Sequence, residues 1–256
     1  MLRKLVITRP LAQSLGLARL LGDCGREVAI LPLLEILPLA DDSLLQATLA
    51  QLASFALVAF VSPNAIDATF AHIATWPASV PLAVMGEGSR RALALHGVVS
   101  GPYQITSPLD PQRTDSQTLL QALDLPRLQG QRVLIVRGDG GRELLADALR
   151  DAGVDVQQVA AYRRAAPVLD AALRQRLSDL LAQDCDWVIT SSEALQVLMG
   201  FVHQVDAETG VEKIQHKNLF VPHRRIAETA VSLGFHSVFL TGSGDEGLLT
   251  ALQSTP

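Results

Sequence analysis

The sequence predicts a mostly parallel α/β protein assembled from two copies of one unit, and three observations carry that prediction. Short β-branched runs alternate with longer stretches of helical period, the pattern of βα units feeding a parallel sheet. The chain also repeats itself at an offset of about 128 residues: Leu5–Arg9 (LVITR) falls on Val133–Arg137 (VLIVR), so Arg9 matches Arg137, Gly25 matches Gly153 and Val28 matches Val156. A solenoid would repeat every 20–50 residues or so, whereas a repeat this long means duplicated domains. Length agrees, because 256 residues suit two domains of about 100–150. Any site is then expected to lie between the copies.

The strands are predicted near Leu5–Thr8, Val28–Leu31, Leu57–Val61 and Leu82–Val84 in the first copy. In the second they fall near Val133–Val136, Asp155–Val159, Trp187–Ile189 and Leu219–Val221, with a last one at Ser237–Leu240. Leu45, Leu49 and Leu52 match Leu173, Leu177 and Leu180, and after one inserted residue Ser62 and Ala65 match Ser191 and Ala194. The spacing of Leu169, Leu173, Leu177, Leu180 and Leu181 puts them on one helix face, which covers a sheet. Gly25, Gly97, Gly153 and Gly234 each follow a helical pattern where a left-handed residue closes the helix. Breaks at Leu37–Asp42 and Ala165–Asp170, again about 128 residues apart, are the linker candidates, and Ser100–Arg113 reads as a loop.

Composition narrows the function. Apolar residues make up 48% and charged ones 18%, which excludes disorder, and no apolar run approaches the roughly 18–20 residues of a membrane span. The opening MLRKLVITRP lacks the features of a signal peptide, so a cytoplasmic location is expected and a membrane partner is not. A net charge of −5, with no basic stripe, argues against nucleic acid. Cys24 and Cys185 form no CxxC and sit beside apolar patterns where buried free thiols are common. The six histidines show no HxH, HxxxH or HExxH spacing, so no metal is expected.

Chemistry is concentrated where the strands end. The first strand runs into Thr8-Arg9-Pro10 and the third into Ser62-Pro63-Asn64. In the second copy the corresponding turns are Arg137-Gly138-Asp139-Gly140-Gly141-Arg142 and Thr190-Ser191-Ser192-Glu193. In an open parallel sheet the carboxyl ends of the strands form the ligand crevice, and each turn presents free amides at a helix N-terminus, which suits carboxylates or phosphates. Each terminus contributes only about 0.3–1 kcal/mol when exposed, so several must converge. Taken singly, Ser62, Thr190 and Ser191 are explained as N-caps, with Pro63 favoured at the first helical position. The three-glycine turn after Val136 lacks both the P-loop and the GxGxxG spacing, which excludes a nucleotide fold. Tyr162, one of two tyrosines, lies just past a strand beside Arg163 and Arg164. It either packs at the crossover or offers a phenol for hydrogen bonding or proton transfer.

Val133–Arg164 (VLIVRGDGGRELLADALRDAGVDVQQVAAYRR) closely resembles the most recognisable segment of the uroporphyrinogen-III synthase family. Ile7-Thr8-Arg9-Pro10 is similar to its opening TRP turn, Phe60-Val61-Ser62-Pro63-Asn64-Ala65 to its FTSxNA turn, and Thr190-Ser191 to its second TS turn. Val84-Met85-Gly86-Glu87-Gly88-Ser89 resembles its VGxxT turn. Val61 and His223 depart from the family pattern. The resemblance implies two Rossmann-like or flavodoxin-like domains joined by a two-stranded linker, made discontinuous by exchange of the first βα unit. Residues 1–36 would join 167–256, residues 39–163 would form the other domain, and linkers would lie near 37–38 and 164–166.

The resemblance further implies that hydroxymethylbilane, a linear tetrapyrrole, loses water and closes to uroporphyrinogen III with its terminal ring inverted through a spiro intermediate. A monomer without cofactor or metal is implied. Tyr162 would assist departure of the hydroxyl, and Thr8, Arg9, Ser62, Asn64, Gly86, Ser89, Arg137, Gly138, Thr190 and Ser191 would bind substrate. Two rivals remain from the residues alone: another enzyme on the duplicated scaffold, such as a nucleotide-sugar transferase, and a non-catalytic module that binds an anionic tetrapyrrole.

Overall fold

The computed structural model describes residues 3–110, 116–141 and 143–254. Arg142 of the glycine-rich turn and the end of the Ser100–Arg113 stretch lie outside the described residues. The chain begins β1 (Lys4–Ile7), α1 (Leu11–Asp23), β2 (Val28–Ile30), β3 (Glu35–Leu37), α2 (Ser43–Leu49), β4 (Leu57–Phe60), α3 (Pro63–Phe70), β5 (Leu82–Val84), α4 (Glu87–Leu95) and β6 (Ile105–Thr106). It continues α5 (Ser116–Ala122), α6 (Leu125–Leu128), β7 (Arg132–Gly138), α7 (Leu144–Asp151) and β8 (Asp155–Ala165). The last stretch is α8 (Ala171–Ala182), β9 (Cys185–Val188), α9 (Ser192–Val205), α10 (Gly210–Gln215), β10 (Asn218–Val221), α11 (Arg224–Ser232), β11 (Ser237–Leu240) and α12 (Gly244–Ser254).

Two compact units result: Met1–Glu35 with Ala165–Pro256, and Ile36–Arg164. The first contains a five-stranded sheet in the order β11-β10-β9-β1-β2, parallel throughout. The second contains a six-stranded sheet, β3-β8-β7-β4-β5-β6, in which β8 through β6 are parallel. The chain passes from one unit to the other at the first residue of β3 and again at the end of β8, and these two strands are neighbours in the second sheet.

Each sheet is covered on both faces, which is why its strands read as continuous apolar runs. In the first unit Leu5 and Ile7 of β1 point toward Leu17 and Leu21 of α1 and Leu248 and Leu252 of α12. Val6, between them, points the other way, into a core with Trp187, Leu177, Leu198 and Ile226. In the second unit Val58 and Phe60 share a core with Leu45, Ile66 and Leu93, while Leu57 and Ala59 face Leu119, Leu145 and Leu149. This period of two, buried on both sides, fixes the register, because a slip of one residue would exchange the two faces. Each fully buried leucine or phenylalanine contributes about 1.5–3 kcal/mol.

Helix ends follow the residues placed there. The Asp170 carboxylate accepts from Leu173 N at 2.8 Å at the start of α8, and the four glycines read as helix stops have φ of 77° to 87°, a region open to glycine without steric cost. At the amino ends of β9 and β10 the buried Asp186 accepts from Arg26, from Asn218 Nδ2 at 3.0 Å and from Arg3 Nη1 at 3.4 Å, the several donors a buried carboxylate requires.

Three elements differ from the sequence reading. β3 was not predicted and ends on Leu37, the first residue of the predicted break, and β6 lies within the stretch read as loop. β8 runs on to Ala165 instead of stopping at Val159, so Tyr162 lies within a strand and not beyond one. Cys24 is exposed, whereas Cys185 is buried, and burial pushes its thiol up from the ordinary value.

Candidate active site

Each sheet has one place where the chain's connections diverge. From β1 the chain proceeds outward to β2, and from β9 it proceeds the other way to β10 and β11, so the divergence in the first unit lies between β1 and β9. In the second unit β4 leads to β5 and β6 while β7 leads to β8, and the divergence lies between β4 and β7. Such switch points leave a crevice outside the carboxyl ends of the strands, where ligands of open α/β sheets bind. The repeat relates β1 to β7 and β4 to β9. Each switch point therefore joins one strand from each copy, which is the exchange of the first βα unit.

In the first unit Thr8 and Arg9 follow β1, and Thr190 and Ser191 follow β9. The Thr8 hydroxyl is buried and donates to Val188 O at 2.6 Å, tying the two strand ends together. Arg9 Nη1 lies 2.5 Å from Asp245 Oδ1, with only 14% of the arginine side chain exposed. Ser191 caps α9 by accepting from Ala194 N at 3.0 Å.

In the second unit the predicted residues gather more closely. Ser62 caps α3, accepting from Ala65 N at 3.2 Å, and its Oγ is 3.0 Å from Tyr162 Oη. Tyr162 lies opposite Gly138 across β7 and β8, and its carbonyl accepts from Asp139 N at 2.9 Å. The strand register slips here: Arg137 pairs with Ala160 but Gly138 pairs with Tyr162, leaving Ala161 as an extra residue. Regular alternation would turn Tyr162 away from the core that holds Val159 and Ala161. The extra residue instead brings it to that same core, with Phe60 and Ala65, which is how a bulge re-aims a side chain. The ring lies directly against Gly138, where an added Cβ would be 3.0 Å from Tyr162 Cζ.

The other predicted residues are farther from this contact in the chain of interactions. Asn64 is the second residue of α3. Gly86 precedes α4 and its carbonyl accepts from Ser89 N and Arg90 N, both at 3.1 Å, and Ser89 is buried. Arg137 Nη1 donates to Glu143 Oε1 at 2.5 Å and to Gln158 Oε1 at 2.6 Å, and Gln158 Nε2 donates to Glu143 Oε2. The Gln158 amide and then the Arg137 guanidinium hold the Glu143 carboxyl below its ordinary value. Among the described residues no group of three or more His, Cys, Asp or Glu side chains is placed to hold a metal ion.

A family model described as Uroporphyrinogen-III synthase HemD matches residues 16–247. The chain belongs to the uroporphyrinogen-III synthase family. It is 33% identical over 256 residues to a uroporphyrinogen-III synthase of Salmonella typhimurium strain LT2, covering 97% of this chain and 99% of that one. The corresponding protein of Escherichia coli strain K12 is 32% identical over 257 residues, with the same coverage. Among solved structures, uroporphyrinogen-III synthetase from Helicobacter pylori 26695 superposes with a TM-score of 0.61 at 13% identity, covering 99% of this chain and all of that one. A mutant uroporphyrinogen III synthase from the extremely thermophilic bacterium Thermus thermophilus gives 0.58 at 16% identity, with the same coverage. These likenesses establish the shared fold.

In this uroporphyrinogen-III synthase family member the sequence reading missed the partners of its two repeat-related arginines. Asp245 lies 236 positions from Arg9, and Glu143 and Gln158 reach Arg137 only through the path of the turn. No spacing signal marks them. No helix among the described residues is long and apolar enough to cross a membrane.

Proposed function

We propose that the chain dehydrates and cyclises hydroxymethylbilane to uroporphyrinogen III, a hydro-lyase reaction in which the terminal ring is inverted through a spiro intermediate. Family membership over nearly the whole chain supports this. The geometric observation that carries it is the Tyr162 hydroxyl, 3.0 Å from the capping serine of α3 and at the carboxyl edge of the strands flanking a switch point.

The substrate's eight carboxylates suit helix N-termini, whose free amides carry partial positive charge. The N-terminus of α3 after β4 and the amides of the Gly138–Gly141 turn, both in the second unit, would receive some of them. Arg9 and Arg137, each already against a carboxylate, would hold turns in shape as well as contribute charge. The bilane hydroxyl leaves a carbon that already ionises readily. The protein's task is therefore chiefly to fold the bound chain so that the spiro route wins over direct closure, a matter of positioning. Tyr162 would protonate the departing hydroxyl.

Tyr162→Phe keeps the ring and removes only the phenol oxygen. Turnover should fall by no more than about 10²-fold, the low end for general-acid assistance, while the product made on the protein remains type III. The assay follows bilane consumption with type I and type III isomers resolved and the uncatalysed rate subtracted. Unchanged turnover in a folded variant would remove the catalytic role of Tyr162. Wild-type protein that binds bilane without accelerating closure would instead favour a non-catalytic tetrapyrrole-binding module.

A further inference from the structure

We propose that Ser62 is a positioning residue that acts through Tyr162: its hydroxyl donates to the phenol oxygen, turns the phenol proton toward substrate and steadies the phenolate left after transfer. The inference rests on the reading of Tyr162 given above.

A serine hydroxyl has one proton and two lone pairs. At Ser62 one lone pair is committed to Ala65 N, 3.2 Å away at the first turn of α3. Accepting from an amide at a helix N-terminus draws electron density from the oxygen and makes its own O–H a better donor. The neighbouring acceptor is Tyr162 Oη at 3.0 Å. With Ser62 donating, the phenol proton is excluded from that contact and must point elsewhere. The ring is packed beside Gly138, where an added Cβ would lie 3.0 Å from its Cζ, and among the core residues that hold Phe60 and Ala65.

The duplicated chain contains its own comparison. Ser191, the repeat counterpart of Ser62, makes the same capping bond to Ala194 N at 3.0 Å. The position that the 128-residue offset relates to Tyr162 is Leu34, an apolar core residue of the other unit. Capping is thus common to both serines, while the phenol contact belongs to Ser62. A cap alone does not account for it.

The proton and electron pair can be followed. The C–O bond of the bilane hydroxymethyl group breaks and its electron pair leaves with oxygen, which takes the phenol proton and departs as water. The pyrrole nitrogen lone pair compensates the carbon. The phenolate of Tyr162 accepts the Ser62 O–H until ring closure is complete. Closure on the substituted carbon of the terminal pyrrole gives the spiro intermediate; that carbon's bond to its bridging carbon then breaks, the bridge re-bonds to the ring's other α-carbon, and the proton that this carbon loses returns to Tyr162.

The test is a mutant cycle on turnover with Ser62→Ala, Tyr162→Phe and the double variant, together with Ser62→Gly and Ser62→Thr. Glycine is a serviceable N-cap without a hydroxyl, and threonine supplies both. Ser62→Ala and Ser62→Gly should each lower kcat about three- to tenfold, the size of one neutral hydrogen bond, with KM little changed. Ser62→Thr should restore most of the loss, and the double variant should be no slower than Tyr162→Phe alone. Because the chain has two tyrosines, Tyr103→Phe protein grown on 3-fluorotyrosine isolates the Tyr162 fluorine resonance. That resonance should move with Ser62→Ala and Ser62→Gly and stay near its original place with Ser62→Thr.

A full additional loss from Ser62→Ala in the Tyr162→Phe background would overturn the proposal while leaving Tyr162 as the acid. Wild-type kcat in folded Ser62→Gly, or an unmoved fluorine resonance, would overturn it too. Unchanged turnover in Tyr162→Phe would overturn both this inference and the reading beneath it.

Discussion

Gly138 shows how much a single residue can depend on what lies across the strand. Its backbone is not in the left-handed region, so what restricts it is space: a methyl there would sit 3.0 Å from Tyr162 Cζ, 3.1 Å from Cε2 and 3.2 Å from Oη. Gly138→Ala should fold but lose about 1–3 kcal/mol by overpacking. Because the ring is also held at its hydroxyl end, turnover should fall with it. Urea denaturation and the isomer-resolved assay would check both, and wild-type turnover in the folded variant would mean that the ring has room to yield. The sequence made Gly138 and Tyr162 visible as candidates, one through its glycine-rich turn and the other through its rarity. It could not show them in contact. That contact depends on one extra residue in β8, and nothing about Ala160-Ala161-Tyr162 distinguishes a slipped register from a regular one.

The turn from β7 to α7 shows the same limit at the scale of an element. Glycines and an arginine after an apolar run announce a turn, but not that Arg137 is bound to Glu143 and Gln158. Glu143 stands at the N-cap position of α7 without capping it, since its carboxylate is engaged by those two side chains. Its folded value lies below the ordinary one. The contact therefore contributes stability at pH above the unfolded value, near 4.5, and that contribution is lost as pH falls through the depressed folded value. Urea midpoints of wild type and Glu143→Gln should differ more at pH 6 than at pH 3. An equal difference at both would show that the carboxylate's charge plays no part in holding the turn. The other strands were legible as apolar runs between polar turns. β3 and β6 were missed because prolines flank both, Pro32 and Pro38 around the one and Pro102 and Pro108 around the other, and made their stretches read as irregular, and β8 was cut short because Tyr162-Arg163-Arg164 reads as a polar exit while the strand continues beneath it.

Over the whole molecule, the repeat was legible as a duplication, but the pairing of β1 with β9 and of β4 with β7 is a long-range outcome that no local pattern encodes. It has a direct test. Residues 36–164 contain every strand of the six-stranded sheet except the first residue of β3 and the last of β8, and as a separate fragment they should unfold cooperatively in urea. Residues 1–128, one sequence copy, lack β7, β8 and β9 and should not. A cooperative transition in the second fragment would show that the copies can fold without exchanging units. The same pairing sets a schedule for synthesis. β1 is made about 180 residues before its neighbour β9, an interval of about 9 to 36 s at translation rates of about 5–20 residues per second. During that time Leu5, Val6 and Ile7, fully buried in the finished protein, have no complete sheet to enter, while the intervening unit can already close. The nascent chain thus carries an unsatisfied apolar strand through most of its elongation, and its yield in a cell should depend on how well that strand is shielded by chaperones until β9 leaves the ribosome.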